Sequence, residues 1–252
     1  MTRPAVLVTG GATRIGAAIV RGFAAAGWHV VIHYRASATL ADALAATLPS
    51  AETIGFDLLD DDAAVAAVTA LAARLPDWRC LVNSASVFDY DPVTGLDPAT
   101  NREAMQVNAL SPARMSQAYL AHAASAGTRT VIQITDMKIA NTNPDFFSYT
   151  MSKHALAATI GMLAKGASSP QDRIYGIAPG AILASHDQSE DETEFSHRLN
   201  LLGRKTGPDE IADAAVFLAG GMLASGQSLF IDSGQHLLDQ PRDVIWLARG
   251  EA

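Results

Sequence analysis

Short apolar runs alternate with stretches of helical spacing along the whole 252-residue chain. Residues 4–8, 29–34, 53–56, 80–82, 130–134, 173–177 and 227–231 are β-branched or apolar runs bounded by turn residues, the pattern of buried strands. Between them, Ile15, Ile19, Val20 and Phe23 recur at helical spacing up to Gly27, as do Leu40, Leu44 and Leu48, and then Val65, Val68, Leu71 and Leu75. Residues 98–124 keep helical periodicity despite Pro112. A further helix carries Phe147, Tyr149, Lys153, Leu156, Ile160 and Leu163, and another starts at Gly207-Pro208-Asp209-Glu210. Strand–helix alternation is the only repeat, and nothing reads as a linker. This predicts an α/β chain with a Rossmann-type, doubly wound parallel sheet of about seven strands, residues 1–252 forming one domain with a tail over 235–252.

Composition narrows the function. Hydrophobic residues make up 49%, charged residues 17%, and the net charge is -8, which fits a globular protein and argues against nucleic acid as a partner. Cys80 is the only cysteine, so no disulfide forms within the chain, and a packed thiol is expected. Apolar sequence beginning at Ala5 breaks at Thr9-Gly10-Gly11, and no run approaches 18 apolar residues. Neither a signal segment nor a membrane span is expected, and the cytoplasm is the expected compartment.

Chemistry concentrates at the predicted strand ends, where open α/β sheets place their ligands. Thr9-Gly10-Gly11-Ala12-Thr13-Arg14-Ile15-Gly16 follows the first strand and opens a helix, so its backbone can approach a pyrophosphate at a helix N-terminus. The second strand ends in His33-Tyr34-Arg35-Ala36-Ser37 and lacks the carboxylate that would bind a ribose 2′-hydroxyl. Arg14, Arg35 and Ser37 then suit a 2′-phosphate, and NADPH is the expected cofactor. Asp57 is placed either against the adenine or as the cap of the next turn. Asp60-Asp61-Asp62 suits a helix start. After the fourth strand, the small residues Asn83-Ser84-Ala85-Ser86 let a cofactor lie close, and Phe88 is either a platform for a flat ring or a core residue. Pro112 frees the carbonyl of Asn108 to accept from a water or a lysine, or else merely kinks the helix.

Asp136 falls just beyond the fifth strand, and Tyr149 and Lys153 are an i,i+4 pair on the next helix. A phenol with a reference pKa of about 10 needs a neighbouring cation to act near neutrality. Tyr149 is therefore expected to be a general acid tuned by Lys153. The acidic stretch 185–193 is expected to be either a mobile substrate lid or a solvated helix start.

Taken in order, Thr9-Gly10…Gly16, Asp57, Asn83 to Ser86, Asn108, Tyr149-x-x-x-Lys153, Pro179-Gly180 and Asp232-Ser233-Gly234 resemble the short-chain dehydrogenase/reductase family over nearly the whole length. The resemblance implies an NAD(P)-dependent oxidoreductase, usually a homotetramer, in which Lys153 holds the nicotinamide ribose and lowers the Tyr149 pKa while Asn108 binds a relay water. It also implies cofactor contacts from Gly10, Arg14, Ile15, Gly16, Tyr34, Arg35, Ser37, Asp57, Leu58, Ser84, Ala85, Ser86, Lys153, Pro179 and Gly180. Two departures are informative: Asp136 stands near the place of a carbonyl-binding serine, and Arg14 replaces a turn glycine. With Phe88 and His33 to Ser37, they resemble the pteridine reductase and dihydromonapterin reductase branch. There the residues matching Arg14, Ser86, Phe88, Asp136 and Tyr149 meet the pterin. An ionised aspartate would repel the oxyanion of a reduced carbonyl, whereas a carboxylic acid can protonate a ring nitrogen. The expected reaction is NADPH-dependent reduction of a dihydropterin; a ketone or 3-oxoacyl thioester reductase is the alternative, and a non-catalytic NADPH sensor the more distant one.

Overall fold

A computed structural model describes residues 3–185 and 188–250. Seven parallel strands form one sheet in the order β3-β2-β1-β4-β5-β6-β7. They are β1 (Ala5–Val8), β2 (His29–Tyr34), β3 (Ala51–Gly55), β4 (Trp78–Asn83), β5 (Arg129–Ile134), β6 (Asp172–Pro179) and β7 (Ser228–Ile231). This is the expected fold class. Every expected strand is present; β6 runs longer than its apolar core, because Gly176, Ala178 and Pro179 pair with β7 as well.

Alternate residues along each strand face opposite helical layers, as a pleat with period two requires. Val6, Val8, Val30 and Ile32 pack with α1 (Arg14–Ala25), α2 (Ala38–Ala46) and α8 (Pro208–Ala219). Ala5, Leu7, Val31 and Leu81 pack with α3 (Asp61–Arg74) and α5 (Ser111–His122). Cys80 is buried with the first set, and burial pushes its thiol up. On α2 the expected leucine stripe turns by one position: Ala41 and Leu44 are buried, whereas Leu40 is exposed.

The helix expected over 98–124 is broken. α4 (Pro98–Met105) passes through a wide π-helical turn, Gln106–Leu110, into α5. The Ser111 N–H bonds back to Gln106 O, so the ladder slips by one residue just before Pro112. Asn108 sits in that turn and faces α6 (Phe147–Gly166), where Tyr149 and Lys153 lie. The acidic stretch is in part a helix, α7 (Glu190–Ser196), with Ser189 and Glu192 forming a capping box. His186 and Asp187, part of the expected lid, lie outside the described residues. The tail 235–250 packs on its own chain: α9 (Val244–Ala248) lies against α7, and Arg249 bonds Glu192. Among the described residues no helix is long and apolar enough to cross a membrane.

Candidate active site

A cavity of about 440 Å³ opens at the carboxyl ends of the strands, at the point where the strand order reverses between β1 and β4. One end is backbone-lined. Gly10 has φ +63°, and a Cβ there would come within 2.9 Å of the Ala85 backbone; a Cβ on Gly16 would stand 2.1 Å from Gly10 O. Thr13 makes no side-chain cap to α1, so the first N–H groups of that helix are free to meet an anion. No carboxylate follows β2, and Arg35 lines the wall. These features fit a dinucleotide carrying an extra phosphate.

His33 holds this end together. Its Nδ1 accepts the Gly10 N–H (3.0 Å), so Nε2 carries the proton and donates it to Phe56 O (3.0 Å). Burial lowers its pKa to about 4, against smaller raising effects from the Phe56 bond and the Asp57 charge. It is a neutral hinge pin between the glycine turn and the end of β3.

The chemical end is built from β5 and α6. Asp136 follows β5 and takes two bonds: Oδ2 accepts the Tyr149 hydroxyl (2.7 Å) and Oδ1 accepts the Lys138 N–H (2.9 Å). Asp136 is open in part to the cavity, yet the surrounding protein raises its pKa, against the positive charges of Lys138 and Lys153 and the two hydrogen bonds. Tyr149 is buried and its pKa is pushed well up, first by burial and then by the Asp136 charge. The arrangement therefore favours the protonated forms of both groups. This differs from the expectation that Lys153 lowers the phenol: Lys153 Nζ donates to Ile134 O (2.9 Å), 5.5 Å from the Tyr149 ring centre. Burial lowers the lysine itself to about 8, with Asp136 opposing.

An aromatic wall adjoins this pair. Phe88 is half-buried, stacks on Phe146 at 4.1 Å and 18°, and meets Tyr149 edge-on at 4.6 Å. Phe146 has φ +53°, rare for a bulky residue and costing about 1–3 kcal/mol; Tyr90 and the Phe88 stack hold it there.

Of the expected site residues, Gly10, Arg14, Ile15, Gly16, Arg35, Asp57, Leu58, Ser84, Ala85, Ser86, Phe88, Asp136, Tyr149, Lys153, Pro179 and Gly180 share the cavity wall. Tyr34, Ser37 and Asn108 do not. Tyr34 covers Gly55 with its ring, because the pleat turns it out where it turns His33 in. Ser37 precedes α2 without capping it. Asn108 stands behind the wall: its side chain accepts from Val87 N and Ser86 Oγ and donates to Val87 O and Ser152 Oγ. Arg14 and Arg35, grouped by the sequence, diverge. Arg14, at φ +53°, donates to Ala184 O beyond β6 (3.0 Å), whereas Arg35 stays beyond β2, near Glu103. Asp57 lines the cavity and also caps its turn through Leu59 N.

Sequence reasoning missed His33, Lys138, Asn143 and the tail residues Asp243 and Ile245, all in the wall. For Lys138 a signal existed, a lysine two residues after Asp136; for the tail none did, since only folding brings it there.

A family model described as "Enoyl-(Acyl carrier protein) reductase" matches residues 10–236. Pteridine reductase 1 of Leishmania tarentolae is 27% identical over 94% of this chain and 97% of its own. A putative ketoacyl reductase of the granaticin polyketide synthase of Streptomyces violaceoruber is also 27% identical, over 93% and 97%. The crystal structure of FolM Alternative dihydrofolate reductase 1 from Brucella canis, complexed with NADP, superposes with a TM-score of 0.86 at 32% identity, covering 93% of this chain and 94% of that one. The sheet order, the glycine turn against Ala85 and this breadth of similarity agree: the chain belongs to the short-chain dehydrogenase/reductase family of oxidoreductases.

Proposed function

We propose that the chain is an NADPH-dependent reductase that takes dihydropterins, such as dihydromonapterin or dihydrobiopterin, to the tetrahydro form, with dihydrofolate as a further substrate. The Asp136–Tyr149 hydrogen bond of 2.7 Å carries the reading. It sets a carboxyl and a phenol, both with raised pKa, together at the cavity, a pair able to deliver a proton to a ring nitrogen. The pteridine reductase and the alternative dihydrofolate reductase among the similar proteins support it.

NADPH, when bound, supplies the hydride for the ring carbon. The protein's own residues do the rest. Gly10, Gly16 and the α1 N-terminus receive the pyrophosphate, and Arg35 the 2′-phosphate. Ser84, Ala85, Pro179 and Gly180 shape the wall along the cofactor. Lys153 orients the nicotinamide ribose, and Asn108 fixes Ser86 and Val87 from behind. Phe88, backed by Phe146, offers a flat ring for the pterin. Asp136 and Tyr149 deliver the proton to the ring nitrogen. In this reading residues 1–252 form one cytoplasmic domain that assembles as a homotetramer.

The ketoacyl reductase relative favours a second reading, reduction of a 3-oxoacyl thioester or ketone. Steady-state NADPH oxidation with dihydromonapterin, dihydrobiopterin and dihydrofolate, beside an acetoacetyl thioester and simple ketones, separates the two. Turnover confined to the pterins is expected; turnover confined to the carbonyls contradicts the proposal.

A further inference from the structure

A second buried ion pair lies beside Asp136 and Tyr149, and it comes from the far end of the chain. Lys138 is 4% exposed and Asp243 7%. The ammonium of Lys138 meets Asp243 Oδ2 at 2.7 Å and Asn143 Oδ1 at 2.8 Å. Asp243 also caps α9 through Ile245 N. Its backbone N–H donates to Asp145 Oδ2 (2.8 Å), and Asp145 in turn holds Arg242 through two bonds of 2.9 Å. The tail is thus anchored by a polar network that ends on Lys138. The same Lys138 uses its own N–H to hold Asp136 Oδ1. Ile245, two residues beyond Asp243, packs with Phe146 and Tyr149.

Burying a lysine and an aspartate is costly and rarely adds stability compared with apolar residues of the same volume. The pair therefore calls for a role, and its position supplies one. The positive charge of Lys138 is felt at Asp136 and the negative charge of Asp243 at Tyr149. The other ionisable groups around Lys138 are already engaged. Asp145 is held by Arg242, Lys153 donates to Ile134 O, and the His154 ring bonds Lys138 O (3.2 Å).

Resting on the reading that Asp136 and Tyr149 deliver the proton, we propose that Lys138 and Asp243 are positioning residues for that step. The tail's Asp243 neutralises and fixes Lys138, and Lys138 orients Asp136 and sets the charge beside it. The C-terminal segment thereby governs the pH at which the donor pair releases its proton.

The sign of each perturbation follows from charge. Asp243→Asn leaves Lys138 unbalanced, which favours the Asp136 carboxylate, so the high-pH loss of kcat/KM moves to lower pH. Lys138→Met leaves Asp243 unbalanced, which disfavours ionisation, so the same limb moves to higher pH. Each shift is expected to be about half to one pH unit. The double variant Lys138→Met/Asp243→Asn, which buries no net charge, returns the limb toward wild type, an outcome that a loss of packing does not produce. It also keeps the test readable if a single variant folds poorly.

The experiment measures kcat/KM for a dihydropterin against pH in these three variants, together with an NMR titration of 13C-carboxyl-labelled aspartate, the Asp136 resonance being assigned by Asp136→Asn. Opposed shifts that cancel in the double variant are expected in both readouts. Unmoved limbs and an unmoved Asp136 titration in both single variants, with or without a fall in kcat, overturn the proposal. Full dihydropterin turnover by Asp136→Asn overturns the underlying proton-delivery reading instead, while the titration still decides the coupling.

Discussion

At the scale of single residues the site is governed by burial of groups that hold or release protons. Tyr149 and Asp136 are both pushed toward their protonated forms. Tyr149→Phe keeps the ring against Phe88 but removes the donor, and is expected to lower kcat by about 10²–10⁴-fold with NADPH affinity unchanged, as cofactor fluorescence titration would check. His33 gives a stability prediction whose sign is fixed. Its folded pKa of about 4 lies below the ordinary value, so the unfolded chain binds the extra proton and stability falls as pH drops from about 6.5 toward 4, by about 3 kcal/mol. Denaturant unfolding at pH 7 and pH 4.5 should show a loss in wild type that is largely absent in His33→Gln. Equal losses in both would remove His33 as the cause. Tyr149, Lys153 and Asp136 were legible as a group because two stand one helical turn apart and the third ends a strand. His33 was not legible, because its role depends on Gly10 and Phe56, 23 residues away on either side.

At the scale of elements, the strand–turn–helix unit of β1 and α1 is specified by close backbone approach. With only 2.1 Å between a Cβ on Gly16 and Gly10 O, Gly16→Ala must move the turn, and the dissociation constant for NADPH is expected to rise about tenfold or more. Calorimetric titration checks this, and unchanged affinity would mean the turn does not hold the cofactor. Strand and helix positions were readable because parallel strands buried on both faces are continuous apolar runs. The break in the 98–124 helix was not. Pro112 signalled an irregularity, but a wide turn at Gln106–Leu110 depends on what Asn108 meets on α6 and after β4. The acidic stretch was legible in one of its two readings, the solvated helix start, because its carboxylates are good first-turn residues of a helix capped by Ser189.

At the scale of the whole molecule, the sheet order separates functions that lie close in the sequence and joins others that lie far apart. Arg14 and Arg35 are 21 residues apart, yet Arg14 reaches toward the β6 side and Arg35 remains beyond β2. Arg35→Ala is accordingly expected to raise KM for NADPH by about 10- to 100-fold while leaving that for NADH within about twofold. Arg14→Ala should affect both cofactors alike. Steady-state kinetics with each cofactor would show it, and an equal loss for both in Arg35→Ala would refute the assignment of the 2′-phosphate. The family was readable because its motifs fall at successive strand ends. The tail's part in the cavity was hidden, since Asp243 meets Lys138 across 105 residues of chain.

The central claim is that Asp136 serves reduction of a ring C=N bond rather than a carbonyl. The most direct test is NADPH oxidation by wild type and Asp136→Ser, with a dihydropterin and an acetoacetyl thioester in parallel. Loss of dihydropterin turnover by about 10²-fold or more, with no gain on the thioester, is the predicted result. Retained dihydropterin turnover, or a variant that reduces the thioester better than wild type, would contradict it.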